Sequence, residues 1–222
     1  MRLFAAHLPP RESSDNPPLI VFLHGLAADE NDLIGLAHEV DPRLAAVSFR
    51  APCQTGYGGY AWFGIEFLPD GGHILDEEQA ESSLEILLED LLELRAEASG
   101  SKLILAGFSQ GAMMAASSLL AHPEAFDAVW LMSGRYLPFL ERESTKPEGP
   151  ILQSSSPPIL QSRPVYVQHG LYDDLVPVGE GRELAEVLRA HGHEVQFSEY
   201  AMGHQVGYES IEDASAWIAK LL

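Results

Sequence analysis

The 222-residue sequence has one cysteine, few basic residues and no long uninterrupted hydrophobic run. With Cys53 alone, neither an internal disulfide nor a metal site built from paired cysteines can form. Every apolar run is far shorter than the ~18 residues that a membrane-spanning helix needs, so stable membrane insertion is not expected. The N-terminus lacks the apolar core of a signal peptide. Together with the absence of disulfides, this predicts a cytoplasmic protein.

Basic residues are scarce, with 13 Lys and Arg against 33 Asp and Glu, which gives a formal net charge of −20. Nucleic acid is excluded as a partner, because binding phosphates requires a basic footprint. The composition is 46% hydrophobic and 21% charged, which is typical of a globular protein with a sizeable core. The acidic excess favours solubility through self-repulsion, and adaptation to high salt is a second interpretation.

Apolar runs alternate along the chain with helical patterns, which is typical of βα units around a mainly parallel sheet. We therefore predict a single α/β domain over residues 1–222. A stretch at 135–163 breaks the pattern, because its five prolines favour a long loop with at most one helical turn. Strands are predicted at 19–23, 45–51, 103–106, 128–132, 164–168 and 194–200, a glycine-rich loop at 54–60, and helices at 31–40, 76–98, 110–121, 179–190 and 208–222.

A Gly-x-Ser-x-Gly motif lies at residues 107–111, between a predicted strand and a predicted helix. This context is the one expected of a nucleophile elbow, in which a sharp, strained turn lifts the serine hydroxyl clear of the sheet. Glycine is needed at Gly107 and Gly111 because the turn leaves no room for side chains. The following helix would offer free N–H groups to an oxyanion. We therefore predict that Ser109 is a nucleophile.

A serine hydroxyl needs a base to become nucleophilic, and in this architecture the chain order is serine, acid, histidine. Three histidines follow Asp173 and Asp174, the two candidates for the acid. His191 and His193 flank a glycine at a predicted helix end, where a helix-terminal or surface role is expected. His204 lies in the loop between the last predicted strand and helix, at the edge of the sheet that Ser109 also occupies. His204 is therefore the predicted base.

The acid and the second oxyanion donor are expected in loops that follow other strands. Asp173 and Asp174 both follow the strand at 164–168, and spacing alone does not choose between them. An Asx turn or a helix cap would explain either one equally well. Gly25 permits a turn after the early strand. The N–H of Leu26 could then join that of Gln110 in an oxyanion hole.

Seven segments together resemble the phospholipase/carboxylesterase family of α/β-hydrolases, which includes bacterial carboxylesterases and acyl-protein thioesterases. The resemblance implies an α/β-hydrolase fold, with helices on both faces of a mainly parallel central sheet. It also implies a serine hydrolase of carboxylic or thio-esters that uses no cofactor and no metal. The segments are FLHGLAADEND (22–32), RAP (50–52), WFGI (62–65), GFSQGAMMA (107–115), SGRYLP (133–138), HGLYDDLVP (169–177) and GH (203–204).

The resemblance also implies roles for individual residues. Asp173 matches the catalytic acid of the family's D-x-LVP segment, whereas Asp174 stands where relatives often have proline. Trp62 and Phe63 match a WF segment near the acyl site, so they are expected either to line the substrate pocket or to be core aromatics. The remaining matches are the nucleophile Ser109, the base His204 and the oxyanion donors Leu26 and Gln110.

The expected function is hydrolysis of small or medium acyl esters through an acyl-enzyme intermediate. A thioesterase or lysophospholipase that uses the same residues is the first alternative. A non-catalytic binding protein with a hydrolase fold is a more remote one, because a binder has no need of a complete Ser–Asp–His set. The expected partner is a small-molecule ester or thioester, and by family analogy a homodimer is an alternative to a monomer.

Overall fold

The computed structural model describes residues 1–12, 15–56, 58–68, 73–98, 100–143 and 161–222. Its helices are α1 (Leu36–Val40), α2 (Glu77–Glu97), α3 (Gln110–Ala121), α4 (Pro138–Glu143), α5 (Val178–Ala190) and α6 (Tyr208–Ile218). Its strands are β1 (Ala5–Leu8), β2 (Leu19–Leu23), β3 (Ala45–Phe49), β4 (Cys53–Gln54), β5 (Tyr60–Ala61), β6 (Ile65–Phe67), β7 (His73–Leu75), β8 (Leu103–Phe108), β9 (Ala128–Met132), β10 (Pro164–Gly170) and β11 (Glu194–Tyr200).

Seven strands form the central sheet in the order β1-β3-β2-β8-β9-β10-β11. All neighbours are parallel except β1, which pairs antiparallel with β3 at the edge. The prediction of a mainly parallel sheet is therefore confirmed. None of the helices among the described residues has the length and apolar content that crossing a bilayer requires.

Helices cover both faces of the sheet because neighbouring residues of each buried strand point to opposite sides. In β2, Val21 and Leu23 pack in one core with residues of α2, α3 and α5. Ile20 and Phe22 pack in a second core with residues of α1 and α6. This three-layer arrangement confirms the α/β-hydrolase fold that the sequence indicated.

Three predicted segments differ from the structure. The helix expected at 31–40 is confined to α1, because the Asn31 N–H bonds the side chain of Asp29 at 2.8 Å and holds the preceding residues in turns. The expected loop at 54–60 is flanked by the short pair β4–β5. The stretch at 135–163, expected as a loop with at most one helical turn, contains the six-residue helix α4, and residues 144–160 lie outside the described part of the chain.

The parallel strands place their carboxyl ends along one edge of the sheet. The loops that follow β2, β8, β10 and β11 therefore meet there, as expected for the ligand-binding edge of an open α/β sheet. These four loops carry the predicted nucleophile, acid, base and oxyanion donors, whereas Trp62 and Phe63 lie between β5 and β6.

Candidate active site

Ser109 lies at a sharp turn between β8 and α3, with φ 54° and ψ −119°. Such a backbone conformation is strained for a residue with a side chain. A Cβ atom on Gly107 would lie 2.3 Å from the carbonyl oxygen of Gly111, and one on Gly111 would lie 1.9 Å from that of Leu23. Both positions therefore require glycine. The Ser109 N–H donates to the carbonyl of Met132 at 2.9 Å, which ties the turn to β9.

A continuous hydrogen-bonded chain links Ser109 to a histidine and an aspartate. The Ser109 Oγ lies 2.9 Å from Nε2 of His204, and Nδ1 of His204 lies 2.7 Å from Oδ2 of Asp173. The other carboxylate oxygen, Oδ1, accepts hydrogen bonds from the N–H groups of Leu175 and Val176 at 3.1 and 2.8 Å. With Nδ1 donating to Asp173, Nε2 is left to accept the serine proton. This arrangement can activate a hydroxyl as a nucleophile.

The alternative acid and bases lie elsewhere. Asp174 is exposed, whereas Asp173 is buried. His191 follows the last residue of α5, and His193 precedes β11 and accepts a 3.3 Å hydrogen bond from the Arg163 N–H. The loop that carries Asp173 precedes α5, and the loop that carries His204 follows β11. Both alternative histidines therefore lie at the other edge of the sheet.

A second histidine, which the sequence analysis did not single out, approaches Asp173. His169 is completely buried, and its Nε2 donates to the Val176 carbonyl at 2.7 Å while lying 3.4 Å from Oδ2 of Asp173. Its Nδ1 is buried without a hydrogen-bond partner, next to Gly181 of α5. Burial lowers the pKa of His169, which favours the neutral imidazole. In the sequence, His169 is the first residue of the HGLYDDLVP segment, and this position was the signal that could have identified it.

The candidate oxyanion donors lie beside Ser109. Leu26 and Gln110 both line the cavity that contains the serine, and within the described residues neither backbone N–H has an acceptor. His24 holds the loop that carries Leu26. Its Nδ1 donates to the Gly25 carbonyl at 2.7 Å, and its Nε2 accepts from the Ala51 N–H at 3.0 Å. Burial lowers the pKa of His24, so the imidazole stays neutral and keeps this acceptor.

An ion pair between the buried Glu30 and the half-buried Arg50 holds the same loop further along. Glu30 accepts two hydrogen bonds of 2.6 Å from Arg50, and this pairing lowers the pKa of the Glu30 carboxyl. The guanidinium also lies over the rings of Phe4 and Tyr60, with its Cζ atom 4.3 and 4.6 Å from their centroids. The Tyr60 N–H donates to the Ala28 carbonyl at 2.8 Å. The loop after β2, which carries the candidate donor Leu26, is therefore held at several points along its length.

Trp62 and Phe63 do not lie where one of the two sequence interpretations put them. Both side chains are completely buried in the core, and neither belongs to the wall of the cavity over Ser109. Trp62 Nε1 instead donates to the His24 carbonyl at 3.0 Å. The side chain of Gln110 accepts from the Trp62 N–H at 3.1 Å and donates to the Phe63 carbonyl at 2.9 Å. The two aromatics therefore support the loop after β2 and the elbow.

A cavity of about 470 Å³ opens over Ser109 and His204. The ring of Phe108 packs against the His204 imidazole, with centroids 4.9 Å apart. No cluster of three metal-ligating side chains occurs within the described ranges. The apolar part of the wall contains Leu26, Ile65, Leu75, Phe108, Met113 and Val176, and its charged part contains Asp32, Arg135, Asp174 and Glu180.

Comparison with known proteins identifies the family. The sequence model of the Phospholipase/Carboxylesterase family matches residues 11–222, so the chain belongs to that family. The chain is 25% identical over 218 residues to a protein of Oryza sativa subsp. japonica named probable inactive carboxylesterase, with 91% of this chain and 84% of that one covered. It is also 25% identical over 181 residues to acyl-protein thioesterase 1 of Kluyveromyces lactis, with 80% and 75% covered.

The crystal structure of esterase PE8 shares this fold, with a TM-score of 0.76, 28% sequence identity and all of both chains covered. The family expected from the sequence segments is therefore confirmed. One of these relatives is named an esterase, one a thioesterase and one a probable inactive carboxylesterase. These names do not agree on one activity, so the activity of this chain depends on the geometry of its own residues.

Proposed function

We propose that this member of the Phospholipase/Carboxylesterase family is an active serine hydrolase that cleaves carboxylic esters of small or medium acyl groups. The observation that carries the proposal is the unbroken hydrogen-bonded chain from Ser109 through His204 to Asp173, with its serine end open to the cavity. A catalytically idle serine would need neither an accepting imidazole nor a buried carboxylate behind it.

Acylation begins when Nε2 of His204 takes the proton of the Ser109 hydroxyl as the oxygen attacks the ester carbonyl. The carbonyl oxygen gains negative charge and accepts hydrogen bonds from the N–H groups of Leu26 and Gln110. These donors are held in place beforehand, so little reorganisation is needed when the charge develops. The strained turn at Ser109 keeps its oxygen at this position.

Collapse of the tetrahedral intermediate breaks the ester bond. The imidazolium of His204, stabilised by Asp173, gives its proton to the leaving alcohol, and the acyl group stays on Ser109. Water then attacks the acyl-enzyme with His204 again as the base. The acid is released and the serine regains its proton. No step requires a cofactor or a metal.

A thioester is a second candidate substrate, because a relative that is 25% identical is named acyl-protein thioesterase 1. The same residues would expel a thiol instead of an alcohol. We favour carboxylic esters of small or medium acyl groups because the cavity is about 470 Å³, within the lower part of the range for small-molecule sites.

The test is hydrolysis of p-nitrophenyl esters with two to sixteen acyl carbons, together with a palmitoyl thioester. Wild type is compared with Ser109→Ala and with Ser117→Ala, whose hydroxyl bonds the Met113 carbonyl within α3. We expect Ser109→Ala to lower kcat by about 10⁶-fold and Ser117→Ala to retain activity.

Activity restricted to short and medium chains supports the proposal, whereas preference for the thioester supports the alternative. No turnover of any substrate, with no labelling of wild type by a fluorophosphonate probe, would indicate a binding protein.

A further inference from the structure

Arg135 lies next to the elbow, in the segment that follows β9. It follows β9 by three residues, and the last residue of that strand, Met132, accepts the Ser109 N–H at 2.9 Å. Between them, Gly134 packs closely on α3, since a Cβ atom there would lie 2.6 Å from the Cβ atom of Ala112. The Arg135 side chain then lines the cavity that contains Ser109. Its position relative to the nucleophile is therefore set by the backbone.

Arg135 is half-buried as a residue, and among the described residues its guanidinium has no hydrogen bond and no ion pair. Three other half-buried arginines are each paired with a carboxylate, as Arg43–Asp41, Arg50–Glu30 and Arg95–Asp127, and Arg163 donates to the Pro123 carbonyl and to the side chain of Gln161. An unpaired cation is unexpected in a chain with a net charge of −20. Partial burial removes some of its hydration without a protein group to replace it. An anionic ligand group would supply the missing partner.

Three carboxylates, those of Asp32, Asp174 and Glu180, also line this cavity, but none of them forms an ion pair with Arg135. They disfavour an anion at most positions inside the cavity. A ligand carboxylate is therefore best placed directly on the guanidinium, where two parallel N–H···O hydrogen bonds can form. The apolar part of the wall suits a short hydrocarbon chain between that carboxylate and the scissile ester.

We propose that Arg135 binds a carboxylate carried by the substrate. The enzyme then prefers an ester with a free carboxylate a few carbons from the scissile bond over the neutral ester of the same length. This inference rests on the proposed function, because Ser109 must cleave the ester. For a half-ester of a dicarboxylic acid, one water is consumed and the products are the alcohol, the dicarboxylate and one proton released to solvent, with the carboxylate on Arg135 unchanged.

Two matched substrate pairs test the inference and show on which side the carboxylate belongs. Monoethyl adipate and ethyl hexanoate differ only by a carboxylate or a methyl group at the end of the acyl chain. The acetate ester of 5-hydroxypentanoate and pentyl acetate differ in the same way, by a carboxylate or a methyl group at the end of the leaving alcohol. For each pair, the ratio of kcat/KM for the anionic ester to that for the neutral ester is measured by chromatography of the products.

Wild type is compared with Arg135→Gln, Arg135→Lys and Arg189→Gln. Arg189 pairs with Glu186 near the end of α5, so its replacement removes the same charge away from the cavity. We expect the ratio for one pair to fall about ten- to a hundredfold in Arg135→Gln, to fall less in Arg135→Lys and to stay at the wild-type value in Arg189→Gln. Thermal unfolding establishes that each variant is folded.

The outcomes separate this inference from the proposed function. If wild type cleaves the neutral esters but Arg135→Gln leaves both ratios unchanged, the inference is overturned and the proposed function stands. An equal loss in Arg135→Gln and Arg189→Gln also overturns it, since net charge alone would then explain the preference. If wild type cleaves none of the four esters, both proposals are contradicted.

Discussion

Oδ2 of Asp173 lies 3.4 Å from Nε2 of the buried His169 and also accepts the hydrogen bond from His204. The His169 N–H already donates to the Val176 carbonyl. The imidazole therefore acts on the Asp173 carboxylate mainly through van der Waals contact and its dipole. Behind this imidazole, Gly181 leaves no space for any larger residue. The packing of α5 therefore controls where the acid of the hydrogen-bonded chain lies.

A methyl group behind His169 should impair the site. A Cβ atom on Gly181 would lie 2.3 Å from Nδ1 of His169, whereas one on Gly179 would meet nothing within 4 Å. We expect Gly181→Ala to lower the free energy of unfolding by about 1–3 kcal/mol through overpacking. It should also reduce kcat about tenfold or more by displacing Asp173.

The matched control is Gly179→Ala on the same helix turn, which should be neutral or slightly stabilising because alanine favours a helix. Chemical denaturation and steady-state kinetics measure both effects. Wild-type stability and kcat in Gly181→Ala would show that His169 moves aside without consequence.

The two adjacent aspartates should respond very differently to removal of their charge. Asp173→Asn removes the acceptor that fixes the orientation of His204. We expect a loss in kcat of about 10⁴-fold, as for the corresponding aspartate of chymotrypsin-like proteases. Asp174→Asn alters an exposed carboxylate and should change the kcat for a neutral ester by only a few-fold. Equal losses in the two variants would argue against the Asp173–His204 pairing.

The side chain of Gln110 should matter for kcat more than for KM. It links the elbow to the backbone of Trp62 and Phe63 and so steadies the backbone N–H that we propose as an oxyanion donor. We expect Gln110→Ala to reduce kcat about tenfold or more, because the donor loses its fixed position. Ser117→Ala, on the same helix, serves as the control. A rise in KM at unchanged kcat would instead assign Gln110 to ground-state binding.

Stability should fall as the solution is acidified below about pH 6.5. Burial lowers the pKa of His24, His169 and His193, whereas an unfolded histidine titrates near pH 6.5. Below that pH the unfolded chain binds more protons than the folded one. The free energy of unfolding therefore decreases as the pH falls below about 6.5, until the lowered folded-state pKa values are passed. Above about pH 6.5 this contribution is fully present.

The measurement is the unfolding midpoint Tm between pH 5.5 and 7.5, a window above the range in which most carboxylates titrate. His193→Asn should flatten the dependence, and replacement of the exposed His7 by asparagine should leave it unchanged. A Tm that rises as the pH falls through this window would contradict the assignment of neutral, buried imidazoles.

The regular elements could be predicted closely where the local pattern was strong. The strands expected at 128–132 and 194–200 coincide with β9 and β11. The helix expected at 76–98 matches α2 together with its two caps, because Asp76 caps the helix and a leucine stripe faces the core. Buried apolar runs and helix caps act over a few residues, so the sequence reveals them directly.

Elements that depend on a distant partner were missed. The edge strand β1 carries only four residues, AAHL, and exists because it pairs with β3 about forty positions later. The small pairs β4–β5 and β6–β7 likewise have no strong apolar alternation. The helix α4 begins at a proline inside a stretch whose composition indicated a loop.

By itself, the sequence determined the order of the elements, the family and the serine turn, because these follow from local periodicity and from motifs of neighbouring residues. Spacing left Asp173 and Asp174 open and the family resemblance pointed to Asp173, but only the tertiary structure brings that carboxylate to His204, which stands 31 positions from Asp173 and 95 from Ser109. It likewise buried Trp62 and placed Arg135 at the cavity wall without an ion pair to any residue that the structure describes. Such relationships depend on distances between remote residues, which packing alone sets and which no local pattern records.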